Sequence, residues 1–377
     1  MRRVDRPSLG GAPRRGCEGA RLRGVGMSVA KGRVRTSRRL GPSRWWLPLA
    51  VGTTLSFVAW PLGAWPVAWW AILGLDFVLL VMAAERLEPR LPLAAQPGFR
   101  RALAVGFPIA LLVAWELIVR AGILNPRWFP PPTSIAVALW ELTVNYDRFN
   151  GTSLLGRPWL IPSVWSTEGW AGVRALFAES HVYATLGRVF GGFFIGALPG
   201  VLVGVVMGLN RTVRTMLDAT MSAVYVLPKI AIFPILMLVF PDPFGEGPKV
   251  AVVAISAFFL VAINAMAGVQ GIEPVLLQAG RAFGAGRVAM LRHVILPGAL
   301  PIIFSGLRLA LGTSLIVIVA VEFIRAQTGV GFVIFYHWQV LMTDRMYAGL
   351  LVTMLLGVGL TALLQWVERR IMPWRRS

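Results

Sequence analysis

The chain has 377 residues, of which 56% are hydrophobic and 14% are charged, and its formal net charge is +20. Soluble domains carry about 25% charged residues, so this composition indicates a membrane protein. Lys and Arg collect in the cytoplasmic loops of such proteins, which explains the charge, and we expect no nucleic-acid partner. The single cysteine, Cys17, excludes an internal disulfide and a cysteine metal site. Three scattered histidines argue against a histidine cluster, and no metal or cofactor is expected.

The N-terminal residues 1–44 are basic, contain Gly, Pro and Ser, and lack apolar periodicity. This composition predicts a disordered cytoplasmic tail that anionic lipids attract. Met27 is an alternative start, and that choice stays open. A secretory signal peptide is not expected, because no small-residue cleavage site follows a single short apolar core.

Eight apolar runs are long enough to predict membrane spans, which need about 20 residues. They are 46–63, 66–84, 102–121, 182–209, 221–240, 249–269, 300–324 and 347–367. Only a tight turn separates the first two, so they form either a transmembrane hairpin or a shallower interfacial pair. Basic residues concentrate in the loops that an N-inside, C-inside orientation places in the cytoplasm.

The predicted outside segment 122–181 is rich in Pro, Trp and Gly. Loops of this length are usually functional or mobile. Its Pro130–Pro132 run should end one element, after which Thr133 or Ser134 caps a short amphipathic helix.

The predicted inside loop 270–299 contains a short amphipathic helix at 273–283. Helical spacing places Val275 or Leu276, Ala279 and Phe283 on one face, and Gln278 and Arg281 on another. Gly284 and Gly286 should end this helix in a left-handed turn. Such a helix transmits force if its apolar face fills a groove on a partner protein.

Residues 278–297, QAGRAFGAGRVAMLRHVILP, resemble the EAA loop of ABC-importer permeases. That pattern is Glu-Ala-Ala, three residues, Gly, nine residues, then Ile-x-Leu-Pro. Two positions depart from it, since Gln278 replaces Glu and Gly280 replaces the second Ala, which indicates a weaker or differently matched ATPase contact. The resemblance implies that the ATPase couples here, through Gln278, Ala279, Gly280, Arg281, Phe283, Gly284, Leu296 and Pro297.

From about residue 102 to the end, the chain resembles the permeases of nitrate, sulfonate, taurine and bicarbonate ABC importers. The matching segments are 129–142 (FPPPTSIAVALWEL), 181–218, 227–240 (LPKIAIFPILMLVF) and 305–312 (SGLRLALG). The resemblance implies an all-α polytopic protein with a type I permease core of six transmembrane helices at 102–377. Residues 45–101 add an N-terminal hairpin and a cytoplasmic linker.

The implied function is that of the permease subunit of an ATP-driven importer in the bacterial inner membrane. Its solute would be a small oxyanion such as nitrate, a sulfonate or taurine, although similar permeases serve thiamine-precursor pyrimidines and other organic solutes. The implied partners are ATP-binding cassette subunits, a periplasmic or lipid-anchored solute-binding protein, and a second copy of this chain or another permease. The chain has no Gly-x4-Gly-Lys-Ser/Thr loop, so a separate polypeptide must hydrolyse ATP.

Ionisable residues inside predicted spans are costly and therefore mark candidate functional positions. They are Arg188, Lys229, Arg308 and Glu322, with Asp76 and Glu116 in the remaining spans. Helical spacing gives Arg308 and Glu322 a shared face over about 21 Å. We expect that face, with Arg188, to line the translocation path. The alternative for Arg188 and Lys229 is snorkelling to the interface.

Three further patterns concern packing. Gly191, Gly192, Gly196, Gly200, Gly204 and Gly208 predict close helix packing. Pro228 and Pro234 predict a kink in the fifth run, and Gly329 with Gly331 predicts a turn at the outer mouth. Two other functions stay open as alternatives: an ion-driven secondary transporter, and a membrane enzyme, for which His337 and Asp344 lack a matching nucleophile pattern.

Overall fold

The computed structural model describes residues 46–59, 65–146 and 151–376, so the predicted basic tail lies outside the described residues. These ranges are helical and contain no strand. In chain order the helices are α1 (Leu47–Ala59), α2 (Trp65–Leu87), α3 (Gln96–Arg120), α4 (Pro132–Val144), α5 (Ile161–Ala178), α6 (His181–Leu209), α7 (Arg211–Val226), α8 (Lys229–Val239), α9 (Glu246–Gln270), α10 (Pro274–Ala282), α11 (Arg287–Met290), α12 (Leu296–Arg325), α13 (Val330–Gln339) and α14 (Thr343–Ile371).

The described residues before Leu93 form one compact unit, which contains α1 and α2. The two helices pack against each other, and the Ser56 hydroxyl donates a 2.6 Å hydrogen bond to the Asp76 carboxylate. Asp76, a costly residue in an apolar run, therefore has a partner within its own hairpin. The described α1 has 13 residues, which span about 20 Å. It is shorter than the predicted run 46–63, whose last residues lie outside the described part.

Residues 93–377 form the second unit. Among the described residues of this unit, five helices are long and apolar enough to cross a membrane. Four of them are α3, α6, α9 and α14. The fifth is the continuous helix Arg287–Ile324, in which a π-helical turn at Leu291–Ile295 joins α11 to α12. The bent pair α7 and α8 raises the number to six. This arrangement confirms the predicted six-helix core.

The pair α7 and α8 bends by 99° at a break that contains Pro228. Because proline fixes its own backbone and cannot donate a hydrogen bond, the first helix ends at Val226 and the second begins at Lys229. The predicted kink at Pro228 is confirmed. Pro234 lies inside α8. The predicted span 221–240 was wrong in one respect, since a separate helix begins earlier, at Arg211.

Helices α6, α9 and α12 form the centre of this unit, where the buried apolar side chains lie. The glycines on one face of α6 pack so closely against α9 that larger residues there would collide with it. A Cβ added at Gly196 would lie 2.0 Å from the Ala254 oxygen, and one added at Gly204 would lie 2.3 Å from the Ala262 oxygen. Gly192, Gly200 and Gly208 also face α9, where an added Cβ would lie 2.5, 2.9 and 2.5 Å from the nearest atom. The predicted packing role is confirmed for these five, whereas Gly191 has space for a Cβ.

In the part of segment 122–181 that the structure describes there are two α-helices, of which only α4 was predicted. The predicted cap was wrong: α4 follows Pro131, which has no side-chain cap. Instead the Glu116 carboxylate of α3 accepts hydrogen bonds from the Thr133 N–H at 3.0 Å and from its hydroxyl at 2.8 Å. Glu116, predicted as a functional candidate, therefore caps a neighbouring helix. The second helix, α5, contains a kink at Gly169.

Candidate functional site

Two regions at opposite ends of α6, α9 and α12 contain most of the predicted site residues. The inner end is where α9 ends and α10 begins, and the predicted orientation places it in the cytoplasm. The outer end is where α6 and α9 begin and α12 ends.

At the inner end, α10 ends in a left-handed turn at Gly284, whose φ is +73°. The Gly284 N–H donates to the Arg281 oxygen at 2.9 Å, and the Ala285 N–H donates to the Gly280 oxygen at 3.0 Å. These two bonds form a Schellman motif, which favours glycine at the left-handed position. The predicted turn at Gly284 is confirmed. The same prediction for Gly286 was wrong, because its φ is −67° and it precedes α11.

One side of α10 is held by the protein and the others are open. Leu277 packs against the inner apolar cluster that includes Ala265 and Ala299. Phe283 is 91% exposed and Val275 is 65% exposed, although both are apolar. Gln278, Ala279 and Arg281 are also exposed. Helical spacing did not mark Leu277 as the anchor, because spacing alone cannot say which apolar side chain faces the core.

The remaining predicted coupling residues position the loop. An added Cβ at Gly280 would lie 2.9 Å from the end of Met290 and 3.2 Å from Val294, so α10 crosses the following helix at this point. Leu296 packs against the inner apolar cluster. Pro297 lies in the first turn of α12, directly after the π-helical turn.

At the outer end, Arg188 of α6 uses all five of its N–H donors. Its Nε and Nη2 bind the two carboxylate oxygens of Glu246, at 2.5 and 2.8 Å. Its Nη1 binds Glu322 Oε1 and the Thr328 carbonyl oxygen, both at 2.7 Å. Nη2 also binds the Thr328 hydroxyl at 3.0 Å. The guanidinium therefore connects α6 to α9, to α12 and to the segment before α13.

Glu322 is the deepest member of this outer network, with a side chain that is 0% exposed. Besides Arg188, the Thr185 hydroxyl donates to it at 3.0 Å and the Gly331 N–H donates to it at 2.8 Å. A buried carboxylate needs such partners, because an unpaired charge in the interior is very costly. Thr185 lies one turn before Arg188 on α6, so one face of α6 binds this group.

The turn between α12 and α13 is built around the same carboxylate. Gly329 has φ +122°, and an added Cβ would lie 2.3 Å from the Glu322 carboxyl carbon. Its N–H donates to His181 Nδ1 at 3.0 Å, and the next N–H, of Val330, donates to the Thr185 hydroxyl at 2.8 Å. The predicted turn is confirmed, and its glycine is required both by backbone conformation and by close contact.

Arg308 and Glu322, which the sequence places on one face of α12, have different ionic partners. Arg308 forms an ion pair with Glu368 of α14, whereas Glu322 binds Arg188 of α6. The two side chains of α12 therefore face different helices. Their role in the translocation path, and that of Arg188, stays a prediction. Lys229 lies over the Tyr225 ring and donates to the Tyr225 carbonyl oxygen.

Two charged residues at the outer end were missed in the sequence analysis. Glu246 and Lys249 form an ion pair of 3.1 Å at the start of α9, where the predicted span began only at residue 249. With Thr328 and Gln327 they line a cavity of 610 Å3. Their spacing of one helical turn between opposite charges was the available signal.

The alternative of a membrane enzyme gains no support from His337. This side chain is buried, and its Nδ1 lies 2.7 Å from the Val333 carbonyl oxygen of its own helix. Among the described residues no group of three or more His, Cys, Asp or Glu side chains is placed to hold a metal ion.

Comparison with known proteins assigns the chain to a family. A methionine ABC transporter in an inward-facing conformation aligns with a TM-score of 0.44 at 22% identity, over 54% of this chain and 95% of that chain. The chain is 31% identical to the taurine transport system permease protein TauC of Escherichia coli, over 77% of this chain and 94% of TauC.

A second relative is the nitrate import permease protein NrtB of Synechococcus elongatus, which is 25% identical over 72% of this chain and 90% of NrtB. Residues 200–373 match the family described as binding-protein-dependent transport system inner membrane component. The extent of the match to TauC leaves no doubt about the assignment. The chain belongs to this family and is a multi-span permease subunit of an inner-membrane ABC transporter.

Proposed function

We propose that the chain forms the membrane pathway of an ATP-driven importer of small oxyanions. The names of two relatives support this solute class, since TauC is a taurine permease and NrtB a nitrate permease. Taurine carries a sulfonate group and nitrate is itself an oxyanion, so both present several oxygens around one negative charge. The outer end of this chain offers buried Arg and Lys side chains that suit such a group.

We further propose that a separate ATPase subunit binds α10. The observation that carries this proposal is Phe283, an aromatic side chain that is 91% exposed on a short helix whose opposite side is anchored by Leu277. Aromatic residues are enriched at protein interfaces and in their hot spots. Gln278, Ala279 and Arg281 would complete the contact surface. Gly280, Gly284, Leu296 and Pro297 would set its position.

Two copies of this chain would form the pathway, because each copy has one coupling loop and the ATPase subunits act as a pair. The burial of the helices supports this arrangement. In α9, half of the apolar membrane-spanning stretch is buried within one copy. The corresponding buried share is only 6% in α3 and 22% in α14. A solute-binding protein would deliver the solute to the outside segment 122–181.

We propose different roles for the three predicted path residues. Arg188 and Glu322 hold the outer ends of α6 and α12 together, since both are buried and bonded to protein. Arg308 has a side chain that is 37% exposed, so a passing anion could reach it without entering the buried outer network. Its partner Glu368 would keep it neutralised between solutes.

The experiment is affinity purification of the tagged chain from membranes in mild detergent, followed by identification of the proteins that accompany it. We expect a stoichiometric ATP-binding subunit, which Gly284→Asp or Phe283→Asp removes while the permease inserts at its normal level. Leu93→Asp is the matched control, because Leu93 is also strongly exposed and lies in a predicted cytoplasmic segment. Purification of the chain alone would contradict the proposed coupling.

The solute is tested by reconstituting the purified complex, with its binding protein, in liposomes. We expect ATP-dependent uptake of labelled taurine or nitrate, and no uptake of an uncharged pyrimidine. Uptake of the pyrimidine without either anion would contradict the solute class and leave the coupling proposal standing.

A further inference from the structure

We propose that Arg188 and Lys249 form an oxyanion site at the outer end, and that the Glu246 carboxylate occupies this site until an incoming monovalent oxyanion displaces it. This inference rests on the proposed function, because it identifies the residues that the imported anion would meet. It adds a ligand site that includes Glu246 and Lys249, neither of which the sequence analysis marked as functional.

The first observation is the position of Lys249. Its side chain is 6% exposed and lines the cavity of 610 Å3 at the outer end. The described contacts of its ammonium consist of one bond, to Glu246 Oε1 at 3.1 Å, although an ammonium can donate three. A buried ammonium that lines a cavity is suited to binding an anion there.

The second observation is the geometry of Glu246, which resembles that of a bound solute. Its two carboxylate oxygens bind Arg188 Nε and Nη2, and one of them also binds Lys249 Nζ. Two oxygens on one central atom is the arrangement that nitrate and sulfonates share with a carboxylate. Arginine binds all of these groups with the same pair of parallel donors.

The third observation is that the Glu246 and Glu322 carboxylates differ in how readily each can move away from Arg188. The Glu246 side chain is 58% exposed, whereas the Glu322 side chain is fully buried. Glu322 also binds Thr185 and the Gly331 N–H, so it stays in place. Water can solvate Glu246 once it moves away, because it lies at the first position of α9, next to the cavity.

The charges decide which solute can replace Glu246. Arg188 and Lys249 carry two positive charges, and Glu246 and Glu322 carry two negative charges. When Glu246 moves out, one positive charge stays unpaired, and one monovalent anion restores neutrality. A solute without an anionic group would leave a buried cation without a partner, which is strongly unfavourable. The N-terminus of α9 adds a partial positive charge in the same place.

Displacement of Glu246 would also change the outer end of the protein. In the described structure Glu246 is the residue through which Arg188 binds α9, while Arg188 keeps its bonds to Glu322 and Thr328. An anion in place of Glu246 would therefore remove the ion pair that joins Arg188 to the start of α9. The site would respond to an anionic solute and not to a neutral one.

The experiment measures nitrate binding to the purified full-length chain in detergent. Nitrate replaces gluconate at constant ionic strength, and the unfolding temperature is measured at each nitrate concentration. We expect the unfolding temperature to rise to a plateau, and the nitrate concentration that gives half of this rise is the measure of affinity. Each variant is compared with itself at zero nitrate, so a change in basal stability does not enter the result. Glu246→Gln removes the competing carboxylate, and we expect it to raise the nitrate affinity about tenfold, the effect of one charge-assisted contact.

Lys249→Met should remove the saturable nitrate effect in both the parent and the Glu246→Gln background, and Lys249→Arg should retain it. Glu179→Gln is the matched control, because Glu179 forms an ion pair of 2.5 Å with Arg157 in the outside segment, away from the cavity. It should leave the nitrate affinity unchanged. An unchanged affinity in Glu246→Gln, or an effect that survives Lys249→Met, overturns the proposed site.

The liposome uptake assay separates this inference from the proposed function. Nitrate binding that depends on Lys249, in a complex that imports neither nitrate nor taurine, would support the site and contradict the proposed solute. Uptake of either anion with an unchanged KM in the Lys249→Met complex would support the solute and overturn the site.

Discussion

The outer network and the inner coupling loop are opposite in character. The outer network is charged and buried, and Arg188 and Glu322 satisfy each other together with Thr185 and the backbone of the α12–α13 turn. The coupling loop is apolar and open, and Phe283 and Val275 lack burial within the chain. Charged groups are the ones expected at the surface, and apolar groups the ones expected inside. Both regions reverse that expectation.

The outer network has its contacts completed within one chain, whereas the coupling loop needs another protein to cover its apolar side chains. A buried ion pair with complete hydrogen bonding is finished within one chain, so damage to it should appear as lost stability. An exposed apolar helix is completed by another protein, so damage to it should appear as lost coupling in a stable subunit. Substitutions at the two ends should therefore affect different measurements.

The largest effect is expected for Arg188→Met. The substitution leaves Glu322 as a buried carboxylate without its cation, and removal of one partner of a buried pair costs about 3–5 kcal/mol. The protein should lose most of its folded yield, measured as the monodisperse fraction after detergent extraction. Arg188→Met combined with Glu322→Met should recover part of that yield, because Glu322 no longer leaves a buried carboxylate without its cation. A double variant worse than the single one would contradict the charge argument.

The next effect distinguishes two glycines that both have a positive φ, one at each end. An alanine at Gly329 would place its Cβ 2.3 Å from the Glu322 carboxyl carbon, in addition to the backbone strain. Together these effects should cost about 2–4 kcal/mol. We expect Gly329→Ala to lower the thermal unfolding temperature of the purified protein clearly. A stability equal to that of the parent would show that the turn can move away from Glu322.

At the other end, the Cβ of an alanine at Gly284 would meet no atom within 4 Å. The substitution is opposed only by the left-handed backbone conformation, which costs a residue with a Cβ about 1–2 kcal/mol of free energy. We expect this cost to destabilise only the end of α10. Gly284→Ala should therefore leave the unfolding temperature nearly unchanged but speed hydrogen exchange at the end of α10. Gly286→Ala is the control, since its φ of −67° suits any residue. Equal exchange rates in the two variants would contradict the assigned turn.

The sequence predicted well those features that depend on neighbours along the chain. Spans of α6, α9 and α14 follow from runs of apolar residues, the break between α7 and α8 from Pro228, and the end of α10 from Gly284. Each depends on a few consecutive residues or on a fixed helical period.

The features that were missed depend on contacts between distant residues. Arg188 and Glu322 are far apart in the chain and meet only through the packing of α6 against α12. The cap of α4 comes from Glu116 on another helix. Glu246 was predicted to lie in a loop, because the apolar run that follows it was predicted to begin only at residue 249. Periodicity carries no information about such partners.

The smallest effect tests whether ion pairs at the outer end matter in general or only when they are buried. Arg345 of α14 and Glu141 of α4 form an ion pair of 3.2 Å whose side chains are 36% and 44% exposed. Exposed pairs contribute about 0–1 kcal/mol because water and salt screen them. Arg345→Gln should therefore change the unfolding temperature far less than Arg188→Met, with a difference that disappears in high salt. A loss as large as that of Arg188→Met would mean that net charge, and not burial, stabilises this end of the protein.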